Sequence, residues 1–178
     1  MTSAPVVTVS TTIFSHELSS KCVDAVQRIF PDFQPDFEIK SESFPVKRGP
    51  LEISQEGVAP DFFLELLGEQ RILDTALDAM SLNLTNGENS QSTSFLISRQ
   101  AALMQKVAFV LDSERTVGGV IEVSMQSPDL SAWLQEATWH QGRLEIPRIV
   151  GDDLGMRADG TVAEWFDKKG RATINPDD

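Results

Sequence analysis

The most regular apolar pattern in the chain lies between residues 60 and 80. Plotted at about 100° per residue, the apolar residues fall within a stripe about 100° wide, which is typical of a helix packed on a globular core. The residues of this stripe are Phe62, Phe63, Leu66, Leu73, Leu77 and Met80. Pro60 suits the first helical position. Gly68 lowers the stability of a helix interior by about 1 kcal/mol relative to alanine, so either one helix or two shorter ones are expected.

Acidic residues line both edges of this stripe. Asp61, Glu65 and Glu69 follow one edge, and Asp74 and Asp78 follow the other. Like charges at this i, i+4 spacing destabilise a helix slightly. The pattern therefore has two interpretations, a solvated acidic face over an ordinary core helix or a face that binds a partner.

The acidic edges belong to a wider imbalance of charge. The 178 residues carry a net charge of −12, and the pI is about 4.5. Between residues 51 and 98 the only basic residue is Arg71, whereas the acidic residues are Glu52, Glu56, Asp61, Glu65, Glu69, Asp74, Asp78 and Glu88. This charge argues against nucleic acid or an anionic membrane as partner and is compatible with a basic protein partner or with solubility alone.

The remaining pattern predicts an α+β fold in a single domain, residues 1–178. Hairpins outnumber strand–helix–strand crossovers, which favours an antiparallel sheet of hairpins with about three helices packed on it. The predicted strands are Val6–Ile13, Phe37–Phe44, Leu51–Ser54, Phe95–Ile97, Lys106–Leu111, Val120–Met125 and Leu144–Val150. Residues 106–111 are apolar on both faces, which predicts a central strand in a hairpin with residues 120–125. Residues 81–94 predict a flexible connector, and residues 168–178 a frayed tail.

Two further helices are predicted on either side of these strands. One runs from Ser15 to Pro31 and places Cys22 on its apolar side; the other opens at Pro128 and stops at Gly142. Both the helix at Pro60 and that at Pro128 begin with Pro-Asp and follow a strand of similar sequence, 51–54 or 121–124. The sequence thus raises the hypothesis of two similar hairpin–helix units, although any hairpin followed by a capped helix shares much of this pattern.

Few residues suggest catalysis. Cys22 is the single cysteine, so no intramolecular disulfide or multi-cysteine metal site is possible. The two histidines, His16 and His140, have no surrounding nucleophile motif, and no phosphate-binding glycine loop is present. No signal peptide and no apolar run long enough to span a membrane is found, so a cytoplasmic protein is expected. No cofactor is expected either.

One acidic loop offers an alternative. Asp152, Asp153 and Asp159 lie within a glycine-rich run and could hold a hard cation such as Mg²⁺ or Ca²⁺, although their spacing does not match an EF-hand. Aspartate and glycine also simply form turns. Glu145, with His140 upstream, is the nearest acid–base pair for an enzyme built on this loop.

An aromatic residue adds a candidate for binding. Trp139 lies off the apolar side of the helix that opens at Pro128, so it is either an exposed anchor for a partner or packs on the chain that follows.

Three functional hypotheses follow. The first is a non-enzymatic acidic binding protein, most concretely a cytosolic inhibitor or immunity-type protein that neutralises a basic partner such as a toxin. Its candidate contact residues are Asp61, Glu65, Glu69, Asp74, Asp78 and Trp139. The second is a small metal-dependent hydrolase that uses the carboxylates of residues 145–159. The third is a secretion chaperone or structural protein.

Overall fold

A computed structural model describes residues 2–36, 43–44, 47–111, 114–152 and 154–155. The elements are β1 Val6–Ile13, α1 Ser19–Gln27, β2 Leu51–Glu56, α2 Asp61–Glu69, α3 Leu73–Ser81, β3 Thr85–Asn86, β4 Gln91–Ser98, α4 Arg99–Leu103, β5 Phe109–Val110, β6 Val120–Ser127, α5 Leu130–Ala137 and a 3-10 helix Gln141–Leu144. The predicted class is confirmed: the protein is α+β, with an antiparallel six-stranded sheet and five α-helices packed on it.

The sheet has the strand order β2-β1-β6-β4-β3, and β5 pairs with β4 beside this path. Every pairing in the described residues is antiparallel. β1 lies between β2 and β6 and consists almost entirely of valine, threonine and isoleucine, residues that favour strands. Its side chains alternate between buried and accessible positions, so one face of the sheet meets the core.

The core lies between that face and the helices. Side chains from β1, β4 and β6 join those of the helices in one apolar cluster, which includes Val9, Val123 and Leu134. Aromatic rings link the layers: Phe63 of α2 stacks on Phe30 at a centroid distance of 5.4 Å and on Phe95 of β4 at 5.9 Å. None of the helices in the described ranges is long and apolar enough to cross a membrane.

The helical stretch of residues 60–80 is divided in two. α2 ends at Glu69 and α3 begins at Leu73, and between them Arg71 adopts a left-handed conformation with φ of +58°. Gly68 stays inside α2, so the break follows it rather than falling on it. Of the six residues of the predicted apolar stripe, Phe63, Leu66, Leu77 and Met80 are buried, and Phe62 and Leu73 are partly buried against the core.

The prediction of a central strand at residues 106–111 is wrong. Only Phe109–Val110 forms a strand, and it pairs with β4 at the sheet edge rather than in a hairpin with β6. The side-chain amide of Gln70 explains the shortening, because it donates to the Val107 carbonyl at 3.0 Å and accepts from the Val107 amide at 2.7 Å. Val107 therefore pairs with a helix-end side chain instead of a strand.

Two other segments differ from expectation. Residues 144–150 form no strand. Leu144 ends the 3-10 helix, and Arg143 and Arg148 bond to the carboxylates of Asp74 and Asp78 on α3. The connector of residues 81–94 contains β3 and the start of β4, closed by a hydrogen bond from the Gly87 amide to the Ser90 carbonyl at 2.8 Å. The predicted strand at 37–44 lies largely, and the tail at 168–178 wholly, outside the described residues.

Candidate interaction surfaces

The acidic edge formed by Asp74 and Asp78 is turned towards the chain that follows α5. Asp74 accepts a hydrogen bond from Arg143 Nε at 3.0 Å, and His140 Nε2 lies 3.0 Å from its other oxygen. Arg143 is almost fully buried and also donates to the Gln135 carbonyl and the Thr138 hydroxyl. Burial raises the pKa of Asp74, but the bonds with His140 and Arg143 outweigh it and hold that pKa below its usual value. This carboxylate is therefore neutralised within the fold.

Asp78 is held one helical turn further along by Arg148. The guanidinium of Arg148 bonds to Asp78 through Nη2 and to Asp152 through Nε, the latter at 2.9 Å. Burial raises the pKa of Asp78, and Arg148 offsets that rise only in part because Asp152 and Asp74 act in the opposite direction. One arginine thus serves two carboxylates in a largely buried position.

The edge formed by Asp61, Glu65 and Glu69 has a different environment. All three side chains are exposed on α2, and none forms an ion pair or hydrogen bond with a described residue. Asp61 lies in the first turn of α2, where the helix dipole favours a negative charge. Of the candidate carboxylates, these three are the ones available to a partner; Asp74 and Asp78 are occupied.

Trp139 is also accessible. Its side chain is 56% exposed, whereas Trp133, six residues earlier and within α5, is partly buried against the core. The side chain is therefore exposed, and its role as an anchor for a partner stays a prediction. Its neighbour His140 contacts Asp74. Trp139 therefore lies beside Asp74 and Asp78, here called the neutralised edge of α3, and not beside Asp61, Glu65 and Glu69, here called the free edge of α2.

The proposed metal-binding loop is only partly described. Asp152 accepts bonds from Arg148 Nε and the Ile149 amide on one oxygen, while its other oxygen is buried with no partner among the described atoms. Asp153 and Asp159 lie outside the described residues. Glu145 is exposed, and no group of three metal-ligating side chains occurs in the described ranges. In the described structure Asp152 therefore pairs with Arg148.

Sequence reasoning did not identify the buried Arg99, the first residue of α4 directly after β4. Only 2% of this residue is exposed, and it forms an ion pair with Glu17. It also donates to the Thr11 hydroxyl, the Thr12 carbonyl and the Gly118 carbonyl. These partners are distant in the chain, so no local pattern could have revealed them. The arginine ties the end of β1 to the turn before β6.

A second accessible surface is the face of the sheet opposite the core, here called the uncovered face. Its positions in the four longest strands are Val6, Thr8, Ser10, Thr12, Glu52, Ser54, Glu56, Ser92, Ser94, Leu96, Glu122, Ser124 and Gln126. None of these side chains is buried, whereas their neighbours on the opposite face mostly are. No described helix therefore packs on this face.

The uncovered face is concave at one end. A cavity of about 460 Å³ lies over the end of β1 and is lined by three glutamates, Glu52, Glu114 and Glu122, together with hydroxyl side chains and Phe14. Strand register places Glu52 opposite Thr12 on one side of β1 and Glu122 opposite Ser10 on the other. The described residues that line this cavity include no lysine or arginine.

Comparison with known proteins identifies the fold. No protein-family model matches the sequence, and no curated protein matches it significantly. Among solved structures, a UPF0201 protein from Methanococcus jannaschii has 23% identity and a TM-score of 0.61, with 75% of this chain and 99% of that chain covered. Another uncharacterized UPF0201 protein has 24% identity and a TM-score of 0.56, with 73% and 90% covered. The chain is similar to these proteins in fold.

Proposed function

We propose that this chain is a non-enzymatic binding protein whose partner is a basic protein. The supporting observation is the contrast within one helical pair: Asp74 and Asp78 are neutralised by buried arginines, whereas Asp61, Glu65 and Glu69 are exposed without a cation among the described residues. Exposed like charges repel one another in the free protein, so a basic partner relieves that repulsion when it binds.

The distribution of the basic residues strengthens this proposal. The largely buried side chains of Arg99, Arg143 and Arg148 form ion pairs with carboxylates of the same chain, so they do not balance its other acidic residues. These three cations are matched by the four carboxylates that they bind, so nearly all of the net charge of −12 belongs to the other residues of the chain. Clustered charge of one sign accelerates association with an oppositely charged protein.

The most concrete form is a cytoplasmic inhibitor or immunity-type protein that neutralises a basic toxin such as a nuclease. A secretion chaperone or a structural protein is an alternative function. A metal-dependent hydrolase has less support, because the described carboxylate of its candidate loop, Asp152, is bonded to Arg148.

Affinity capture with matched charge reversals tests the proposal. The tagged chain is expected to retain a basic protein from a lysate of its source, and Glu65→Lys/Glu69→Lys is expected to lose that protein at least tenfold. The control Glu88→Lys/Glu145→Lys changes the net charge equally at two other exposed glutamates and is expected to retain it. The captured protein is then purified and its affinity measured by calorimetry.

Either of two results would contradict the proposal. One is that no basic protein is retained at low salt. The other is that the two double variants lose the retained protein equally, since net charge alone would then account for the capture.

A further inference from the structure

We infer that the uncovered face of the sheet is a docking surface for a basic, extended segment of the protein partner. The inference rests on the proposed function, because it adds to the exposed carboxylates of α2 a second contact surface for the same partner. It begins from a structural asymmetry: the core-facing side of β1, β4 and β6 is buried under helices, while the other side carries only partly or fully exposed side chains.

The carboxylate and hydroxyl groups of this face indicate which kind of ligand it would bind. Glutamates stand on both strands that flank β1, and Ser10, Thr12 and Ser54 place hydroxyl groups between them. Carboxylates accept charge-assisted hydrogen bonds from arginine and lysine, and hydroxyls complete the bonding of the peptide groups or of the guanidinium. A second copy of this chain would bring the same carboxylates against one another, and nucleic acid would be repelled in the same way.

The shape of the surface favours a protein segment over a small molecule. The eight residues of β1 extend for about 26 Å, and four strands at about 4.8 Å spacing give a face on the order of 500 Å². That area is at the low end for a transient protein interface. The cavity of about 460 Å³ at one end of this face lies between Glu52 and Glu122. It is large enough for one or two arginine side chains of such a segment.

Fluorescence anisotropy with a defined peptide tests the inference. The probe is a labelled decapeptide of alternating arginine and threonine, and its control has citrulline, which is uncharged and of the same shape, in place of arginine. At about 50 mM salt the protein is expected to bind the arginine peptide at least tenfold more tightly than the citrulline peptide.

Two pairs of variants with equal change of charge locate the binding. Glu52→Gln/Glu122→Gln is expected to weaken the arginine peptide at least tenfold, and Glu88→Gln/Glu145→Gln less than threefold. In the unsubstituted protein, amide chemical shifts in NMR spectra are expected to move along β1, β2 and β6, a readout that does not depend on how the variants fold.

Unchanged affinity in Glu52→Gln/Glu122→Gln, or equal loss in both pairs, overturns the inference. Shifts confined to α2 also overturn it but leave the proposed function intact, since a basic ligand would then bind the free edge of that helix. Binding of the peptide on the sheet, together with no capture of any basic protein, instead contradicts the proposed function and leaves the inference about the face standing.

Discussion

The acidic residues along the two edges of one apolar stripe have different environments in this molecule. The α3 edge, Asp74 and Asp78, is covered by the chain after α5 and joined to buried arginines. The α2 edge, Asp61, Glu65 and Glu69, remains exposed without a cation among the described residues. The same residue types at the same helical spacing therefore serve stability in one place and remain free in the other. The difference comes from which distant segment packs alongside.

The largest expected effect comes from removing an arginine from the α3 edge. Arg148→Met leaves Asp78 and Asp152 buried together without their cation, and loss of one partner from a buried pair costs about 3–5 kcal/mol. Arg71→Met is the matched control, because this arginine is exposed between α2 and α3. Urea unfolding is expected to show a large loss for the first variant and a small one for the second. Equal losses would remove the contrast between the edges.

A smaller effect concerns the two aspartates of the α3 edge, which are expected to titrate in opposite directions from their usual value of 3.8. The pKa of Asp74 is lowered in the fold, so its stabilising contribution is present above pH 3.8 and is lost as pH falls through the lower folded pKa. The pKa of Asp78 is raised, so the folded state binds its proton more readily, and stability from this group falls as pH rises from 3.8 through the folded pKa.

Carbon-detected NMR titration of the two carboxyl groups checks this directly, with midpoints expected below 3.8 for Asp74 and above it for Asp78. The stability advantage of the unsubstituted protein over Asp74→Asn is expected to shrink on acidification below pH 4. Midpoints in the reverse order would mean that burial and ion pairing are balanced differently at the two positions.

The smallest effect is expected on the free edge. Glu65→Gln/Glu69→Gln removes a like-charge pair at i, i+4 and should leave stability unchanged or raise it by about 0.2–0.5 kcal/mol. Thermal unfolding measures the change, with Glu88→Gln/Glu145→Gln as a control of equal charge. A loss above 1 kcal/mol would show that these glutamates have structural partners and would weaken their assignment to binding.

Local pattern predicted much of the fold. The alternation in residues 120–125 predicted the buried and exposed faces of β6. The stripe in residues 62–80 predicted four of the buried residues of α2 and α3 and missed Leu67, Ala76 and Ala79. These features depend on neighbours within one element. The length of β5 could not be predicted because it depends on Gln70, 37 positions away.

The same limit applies to the candidate surfaces. The carboxylates could be named from sequence, but their division into paired and free depends on Arg143 and Arg148, which lie 69 and 70 positions from their partners on α3. The uncovered face requires knowledge of strand order, since β1 and β6 are neighbours although more than 100 residues separate them.

The bond between Gln70 and Val107 also has a consequence for how the protein avoids aggregation. β3 and β5 lie at one edge of the sheet. Backbone amides that are unpaired at such an edge can bind a strand from another molecule. At Val107 the amide already donates to Gln70 and the carbonyl already accepts from it, so an incoming strand finds no free donor there. Gln70 thus satisfies both backbone groups of Val107, and its replacement by alanine would leave this donor and this acceptor open to a strand from another molecule.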